Sequence, residues 1–259
     1  MVLLFFGSLN NIMFNAKKIK QELIQWIKNW FEQNGPHSPA IIGISGGKDS
    51  AIVAALCVEA LGKGRVIGIS LPQDCHEGES TEDPDVQKLV KHLGISCFTY
   101  DIGGICGSIL GNIGETFYKV ANSQTVENIP PRVRMTYLYA LASMCDGRVA
   151  NCSNLSEDVV GYTTKWGSNT GDFAPIADLT VTEIKLIGKE LRLPRKIVEK
   201  IPHDGLQSLS DEERLGITYK EIDKWCRHLC NDEKIDKKIV ELKKKNAHKF
   251  KSIPRYNFS

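Results

Sequence analysis

The amino-acid sequence predicts an α/β protein with a doubly wound, mostly parallel sheet and helices on both faces. Short apolar runs of strand length alternate with helical patterns, which is the signature of β-α-β units. The first apolar run leads through a glycine-rich turn into a helix, as in nucleotide-binding sheets of this class. The 259 residues are 42% hydrophobic and 25% charged with a net charge of +2, which is ordinary for a globular domain.

Four apolar runs are typical of strands buried in a parallel sheet. They cover residues 40–45, 65–71, 95–102 and 148–153. Helical spacing of apolar residues predicts helices over 15–33, 51–61, 83–93, 125–145, 181–192, 218–230 and 235–247. Asn15 is predicted to cap the first helix. The stretch 154–180 is rich in Gly, Asn, Ser and Thr and is predicted to be a long functional loop.

No repeat or proline-rich linker divides the chain, so we expect an N-terminal extension over 1–14 and a single domain over 15–259. No apolar run approaches the ~20 residues that span a bilayer, and the N-terminal run lacks the features of a signal sequence. We therefore expect a cytoplasmic protein with no membrane partner. The nearly neutral charge argues against a nucleic-acid partner.

A glycine-rich segment after the first predicted strand is the most informative part of the sequence. Backbone N–H groups at a helix start bind anions, and adjacent glycines let the backbone approach phosphate oxygens. The spacing departs from a Walker A loop, whose Ser or Thr position holds Asp49. A carboxylate there is compatible with phosphates when a divalent cation bridges them, whereas the alternative is a tight turn capped by Asp49. The segment reads Gly43, Ile44, Ser45, Gly46, Gly47, Lys48, Asp49, Ser50.

This S-G-G-x-D-S pattern resembles the loop of the ATP pyrophosphatases, which cleave ATP between its α- and β-phosphates. Further segments are similar to ammonia-dependent NAD synthetase, and the fold so implied is adenine nucleotide α-hydrolase-like. They begin with the N-x-x-x-R-x-R-M pattern at Asn128 and the N-x-[ST]-E pattern at Asn154. The others are G-[YF]-x-T-K-[YW]-G at 161–167, D-x-x-P-x-x-x-L-T at 172–180, D-E-x-x-L-G-x-x-Y-x-x-I-D at 211–223, and His248-Lys249 with Pro254.

The resemblance implies ATP-dependent amidation of deamido-NAD by ammonia, through an adenylated intermediate, with release of AMP and pyrophosphate. It implies Mg²⁺, a homodimer, free ammonia as nitrogen source, and no covalent catalytic residue. Residues 43–50, Cys152 and His203 are implied to hold ATP, and Asp49 with Glu157 to bind Mg²⁺. The residues implied to contact deamido-NAD are Arg132, Lys165, Asp172, His248 and Lys249.

Four positions depart from the family pattern. Cys152 and His203 stand where the family has ATP-binding threonines, Val181 replaces a phosphate-contacting lysine, and Ser168 replaces an aspartate. If the chain is active, Lys48, or else Lys185, is expected to supply the missing charge, unless backbone amides and Mg²⁺ suffice. A catalytically degenerate nucleotide-binding protein, or an ATP pyrophosphatase acting on another carboxylate or a tRNA, remains the alternative.

Overall fold

The computed structural model describes residues 14–73, 83–114, 117, 119–120, 123–200 and 210–256. Within them, four strands form one sheet in the order β3-β2-β1-β4, and every neighbouring pair is parallel. The predicted extension over 1–14 and His203 lie outside these ranges, except for Phe14. The predicted α/β class is confirmed. The strands are β1 Ala40–Gly43, β2 Val66–Ser70, β3 Ser96–Thr99 and β4 Arg148–Val149.

Twelve α-helices in the described ranges surround this sheet. They are α1 Ala16–Asn34, α2 Lys48–Leu61, α3 Pro84–Leu93, α4 Gly103–Ile113, α5 Ser123–Glu127, α6 Ile129–Met144, α7 Leu155–Val160, α8 Val181–Glu190, α9 Arg195–Val198, α10 Asp211–Leu215, α11 Tyr219–Cys226 and α12 Glu233–Asn246. None of them is both long and apolar enough to cross a membrane.

The central strand β1 shows why the sheet is covered on both faces. Successive side chains of a strand point to opposite faces. Ile42 packs in the core built with α1, α2, α3, α8 and α9, whereas Ile41 packs in the core built with α4 and α6. Both side chains are buried, so the sheet is doubly wound as predicted. A third apolar cluster joins α7, α8, α11 and α12 around Ile222 and Ile239.

Several predicted boundaries were wrong for local reasons. The helix α4 was missed because its eleven residues include four glycines, which are poor helix formers. The predicted helix 125–145 is interrupted at Asn128, and α6 starts anew with two prolines in its first turn. The predicted loop 154–180 contains α7, and β4 has two residues, followed by a bridge from Ala150 to Phe173.

Polar contacts fix several helix ends. Asn15 caps α1 as predicted, since its Oδ1 accepts a hydrogen bond of 3.0 Å from the Lys18 N–H. Thr180 and Glu183 form a capping box at the start of α8. Arg227 donates to both carboxylate oxygens of Glu183, at 2.7 and 2.6 Å, and thereby ties the end of α11 to α8.

Candidate active site

A cleft of about 1250 Å³ opens beyond the carboxyl ends of β1 and β2. This is the position where ligands bind in open α/β sheets. Its volume exceeds the roughly 300–1,000 Å³ of a typical single-ligand pocket. The segment that follows β1 lines one side of the cleft, and residues 160–165 with 245–249 line another. The cleft therefore has room for two substrates.

The glycine-rich loop has the conformation of an anion-binding turn. Gly46 has a φ of +71°, which a side chain would strain. Ser45 and Ser50 brace the turn, with their hydroxyl oxygens 3.2 Å apart. Gly47 is the N-cap of α2 and has no side chain to cover the first N–H groups of that helix. Asp49 lies inside α2, so the alternative in which it caps the helix is wrong.

Of the eight loop residues expected to hold ATP, six line the cleft and two lie behind it. Gly46 and Ser50 are buried and support the turn from within. The side chain of Lys48 is only 3% exposed, and its Nζ donates to the Asp49 carboxylate at 2.8 Å. Burial by itself would lower the pKa of Lys48, but the charges of Asp49 and Glu157 outweigh it and raise the pKa. The alternative in which Lys48 points to solvent is wrong. The six lining residues are Gly43, Ile44, Ser45, Gly47, Lys48 and Asp49.

The two expected Mg²⁺ ligands, Asp49 and Glu157, line the same cleft. Burial and then the charge of Asp49 raise the pKa of Glu157 to about 8, although the nearby charge of Lys48 opposes them. Carboxylate oxygens are ligands that Mg²⁺ prefers. The described ranges hold no group of three His, Cys, Asp or Glu side chains that could hold a metal ion.

Asn154 links the Asp49 carboxylate to the backbone of Glu157 and was not among the predicted site residues. Its side chain is fully buried. Its Nδ2 donates to Asp49 Oδ1 at 3.2 Å, and its Oδ1 accepts from the Glu157 N–H at 3.1 Å as the N-cap of α7. The Asn-x-x-Glu spacing is a capping pattern in the sequence, but its link to Asp49 needed the tertiary structure.

Basic residues predicted to contact the second substrate gather on another side of the cleft. Arg132 Nε donates to the Lys165 carbonyl at 3.2 Å, and Lys165 Nζ donates to the His248 carbonyl at 3.2 Å. Lys249 Nζ donates to the carbonyls of Gly161 and Thr163 at 2.8 and 2.9 Å. Burial, and then nearby Lys245, lowers the pKa of Lys249. These contacts hold the 161–165 segment against the C-terminal segment and make this side of the cleft cationic.

Asp172 is separated from the other predicted substrate contacts. It lines a smaller concavity with Tyr139 and Arg148 rather than the main cleft. Its Oδ1 accepts from the Tyr139 hydroxyl at 3.0 Å, and its Oδ2 accepts from the Val149 N–H at 2.7 Å. Burial and then the Asp172 charge raise the pKa of Tyr139 to about 12, so the phenol stays protonated and donates.

Three of the four departures from the family pattern lie within the described residues, and each has a defined place. Cys152 packs against the core and does not line the cleft; burial, followed by Asp49 and Glu157, raises the pKa of its thiol. Val181 is buried in the cluster of α7, α8, α11 and α12. Ser168 Oγ accepts from the Thr164 N–H at 2.9 Å and so stabilises the turn.

Other charged residues that the sequence did not single out also line the cleft. Asp211 is buried and accepts hydrogen bonds from two tyrosine hydroxyls, at 3.0 and 3.3 Å. Arg214 forms an ion pair of 2.7 Å with Glu127. Lys200 also lines the cleft, whereas Lys185, the second candidate for the missing charge, is not among the lining residues. No sequence spacing indicated Lys200, because it is distant in the chain from the loop that it approaches.

A parallel sheet, an anion-binding loop at a helix start and a facing carboxylate pair define a nucleotide-binding α/β protein of the phosphate-handling type. Comparison with known proteins is more specific. The family model described as NAD synthase matches residues 19–257. The chain therefore belongs to the NAD synthase family.

Curated relatives and solved structures agree with this assignment. The NH₃-dependent NAD⁺ synthetase of Pyrococcus furiosus is 33% identical over 250 residues, which cover 91% of this chain and 92% of the relative. That of Methanococcus aeolicus is 38% identical over 186 residues, covering 71% and 72%. The structure of NMN synthetase from Francisella tularensis matches with a TM-score of 0.83 and 30% identity, covering 95% of this chain and all of that one. An NH₃-dependent NAD synthetase from Campylobacter jejuni shares the fold, with a TM-score of 0.74 at 24% identity and 94% coverage of this chain.

Proposed function

We propose that this chain catalyses ATP-dependent amidation of deamido-NAD to NAD with free ammonia in the cytoplasm. The observation that carries the proposal is the arrangement of the cleft: an anion-binding loop and a carboxylate pair on one side, and cationic side chains on another. Two anionic substrates need such an arrangement, because they repel each other unless cations and backbone dipoles offset their charge. The curated relatives named above as NH₃-dependent enzymes support ammonia as the nitrogen source.

The proposed reaction has two steps. A carboxylate oxygen of the nicotinate attacks the α-phosphorus of ATP, a P–O bond forms, and pyrophosphate leaves. Ammonia then attacks the carbonyl carbon of the acyl adenylate, loses a proton, and AMP leaves as the amide forms. The N–H groups in the first turn of α2 orient the phosphates, and the cationic side at Arg132 and Lys165 orients the second substrate. The enzyme supplies position and charge rather than a nucleophile.

The residues present fit the Mg²⁺ that this function implies. Asp49 and Glu157 present carboxylate oxygens to the loop side of the cleft, and such oxygens are ligands that Mg²⁺ prefers. When bound, Mg²⁺ would neutralise phosphate charge and favour departure of pyrophosphate. Asn154 binds the Asp49 carboxylate and the Glu157 backbone N–H, and so holds Asp49 against the start of α7.

A coupled assay tests this proposal. Purified protein is given deamido-NAD, MgATP and ammonium, and NAD and AMP are quantified by chromatography. We expect equal amounts of both products, and no NAD when any one substrate is omitted or when glutamine replaces ammonium. Release of AMP without any dependence on a pyridine nucleotide would reject the proposed substrate. Binding of ATP with no turnover on any carboxylate would instead support a degenerate homologue.

A second candidate substrate is nicotinate mononucleotide. The solved NMN synthetase from Francisella tularensis, at 30% identity and a TM-score of 0.83, favours it. The two substrates share the nicotinate carboxylate, ribose and one phosphate, so the same chemistry serves both. The assay is therefore run with both nucleotides, and the higher kcat/KM identifies the substrate. A clear preference for the mononucleotide would overturn deamido-NAD as the substrate while preserving the reaction class.

We also propose that the chain forms a homodimer through α4. This helix has no charged side chain, and Ile105, Ile109 and Ile113 are 39–41% exposed at four-residue spacing, which places them on one face. An uncharged apolar stripe suits self-association, in which the same patch meets its copy. Sedimentation velocity should show a dimer for the wild type and a monomer for Ile109→Glu. A matched change at exposed Leu229 should leave the dimer intact.

A further inference from the structure

Lys200 places a positive charge directly beside the phosphate loop. Its Nζ lies 3.4 Å from the carbonyl oxygen of Gly46 and 3.1 Å from Asp85 Oδ2. The side chain is 39% exposed and lines the cleft. Asp83, the N-cap of α3, also lies against the loop, because a Cβ atom placed on Gly46 would be 3.0 Å from Asp83 Oδ2. The ammonium therefore stands where loop, cleft and α3 meet.

Asp85 forms ion pairs with two lysines, although one lysine would balance its charge. Lys196 Nζ contacts Asp85 Oδ1 at 3.1 Å, while Lys200 Nζ contacts Oδ2 at 3.1 Å. Hydrogen bonds from Lys196 and then Lys200 lower the pKa of Asp85, so the carboxyl is ionised at neutral pH. One negative charge faces two positive charges. Lys196 neutralises Asp85 when Lys200 leaves, and the release of Lys200 does not strand a buried charge.

Three other positions are less suited to supply a movable charge. Val181 is buried in an apolar cluster and carries none. Lys48 is held by Asp49 at 2.8 Å. Lys249 donates to two backbone carbonyls. Lys200 has a flexible four-carbon stem, and moving its ammonium from Asp85 toward the cleft needs only side-chain rotation.

We infer that Lys200 is a nucleotide-binding residue that transfers from Asp85 to the β- and γ-phosphates of bound ATP. This inference rests on the proposed ATP-dependent function. It also assigns Asp85 and Lys196 a role as the resting contact of the lysine. A hydrogen bond to a charged group typically changes affinity by about ten- to a hundred-fold, which sets the size of the expected effect.

Isothermal titration of MgATP and of AMP into the folded protein tests the inference. For Lys200→Ala we expect the dissociation constant of ATP to rise ten- to a hundred-fold, with that of AMP unchanged, because AMP lacks the β- and γ-phosphates. Lys200→Arg should recover most of the ATP affinity. Lys189→Ala is the matched control, since it removes a lysine in a 3.1 Å ion pair with Glu199 that does not line the cleft, and it should change ATP affinity by less than about threefold.

The outcomes separate the inference from the proposed function. ATP binding by Lys200→Ala equal to that of the wild type would overturn the role of Lys200. Equal loss of ATP and AMP affinity, or equal effects of Lys189→Ala and Lys200→Ala, would show that the effect is not specific to the β- and γ-phosphates or to Lys200, and would also overturn it. Failure of the wild type itself to bind ATP would reject the proposed function. Thermal unfolding of each variant confirms that it is folded.

Discussion

Replacement of Asn154 should lower both the stability of the fold and the turnover of the enzyme. The side chain is fully buried and makes two contacts, one that caps α7 through the Glu157 N–H and one that donates to the Asp49 carboxylate. Asn154→Ala removes both contacts. Asn154→Asp keeps the shape and the capping oxygen but replaces the donor with a third carboxylate facing Asp49.

The magnitude follows from the two contacts. Loss of an N-cap costs about 0.5–2 kcal/mol, and loss of a hydrogen bond to a charged group costs about 1.5–3 kcal/mol. We expect Asn154→Ala to lower the free energy of unfolding by about 2–4 kcal/mol, because the two losses share one buried side chain and overlap in part. Turnover should fall by at least tenfold, since Asp49 and Glu157 no longer hold a common position.

Urea unfolding measures the stability, and the NAD-forming assay measures kcat and the KM for ATP. Asn15→Ala is the control, because Asn15 also caps a helix through its side chain but lies on α1, away from the cleft. It should lower stability by about 0.5–2 kcal/mol and leave kcat unchanged. If Asn154→Ala and Asn154→Asp both retain wild-type kcat, the idea that Asn154 positions the carboxylates is refuted.

Three further predictions follow from the charges. Asp49→Asn and Glu157→Gln should each remove most turnover with the fold retained in circular dichroism, because each deletes a metal carboxylate; near-normal activity would reject the Mg²⁺ assignment. Burial raises the pKa of Glu183, but hydrogen bonds from Arg227 outweigh this effect, so the pKa is lowered in the folded protein. The Glu183–Arg227 pair therefore stabilises the fold above about pH 4.5, and this contribution is lost as the pH falls. Urea unfolding between pH 3 and pH 7 should show that acid lowers the free energy of unfolding of Glu183→Gln by about 1 kcal/mol less than that of the wild type. An equal loss in both proteins would contradict this. Lys48→Ala should raise the KM for ATP and Lys185→Ala should not; the reverse result would place the triphosphate elsewhere.

Local sequence signals accounted for much of the fold. The apolar runs located all four strands in the described ranges, and Asn15 marked the start of α1. The S-G-G-x-D-S segment indicated the anion-binding turn, because glycines and a following helix are properties of neighbouring residues. Such features depend on contacts within a few positions of the chain, which a sequence displays directly.

Two helices were predicted wrongly because of their glycine content and the position of their prolines. The sequence of α4 has low intrinsic helix propensity, and the helix forms because Ile102 and Cys106 are buried against α6. The two prolines of α6 were included in a continuous helix, although they begin a new one after Asn128. In both cases tertiary packing and backbone chemistry outweighed apolar periodicity.

The sequence alone determined that a glycine-rich turn follows β1, and its resemblance to the family supplied Glu157, Arg132 and Lys165 as candidate site residues. Only the tertiary structure decided that Asp172 stands apart from the cleft and that Lys200 reaches the loop at Gly46. Gly46 and Lys200 are 154 positions apart, and their contact depends on how α9 packs against the sheet. Charges act through space over a few ångströms, whereas sequence spacing reports distance only along one helix or strand.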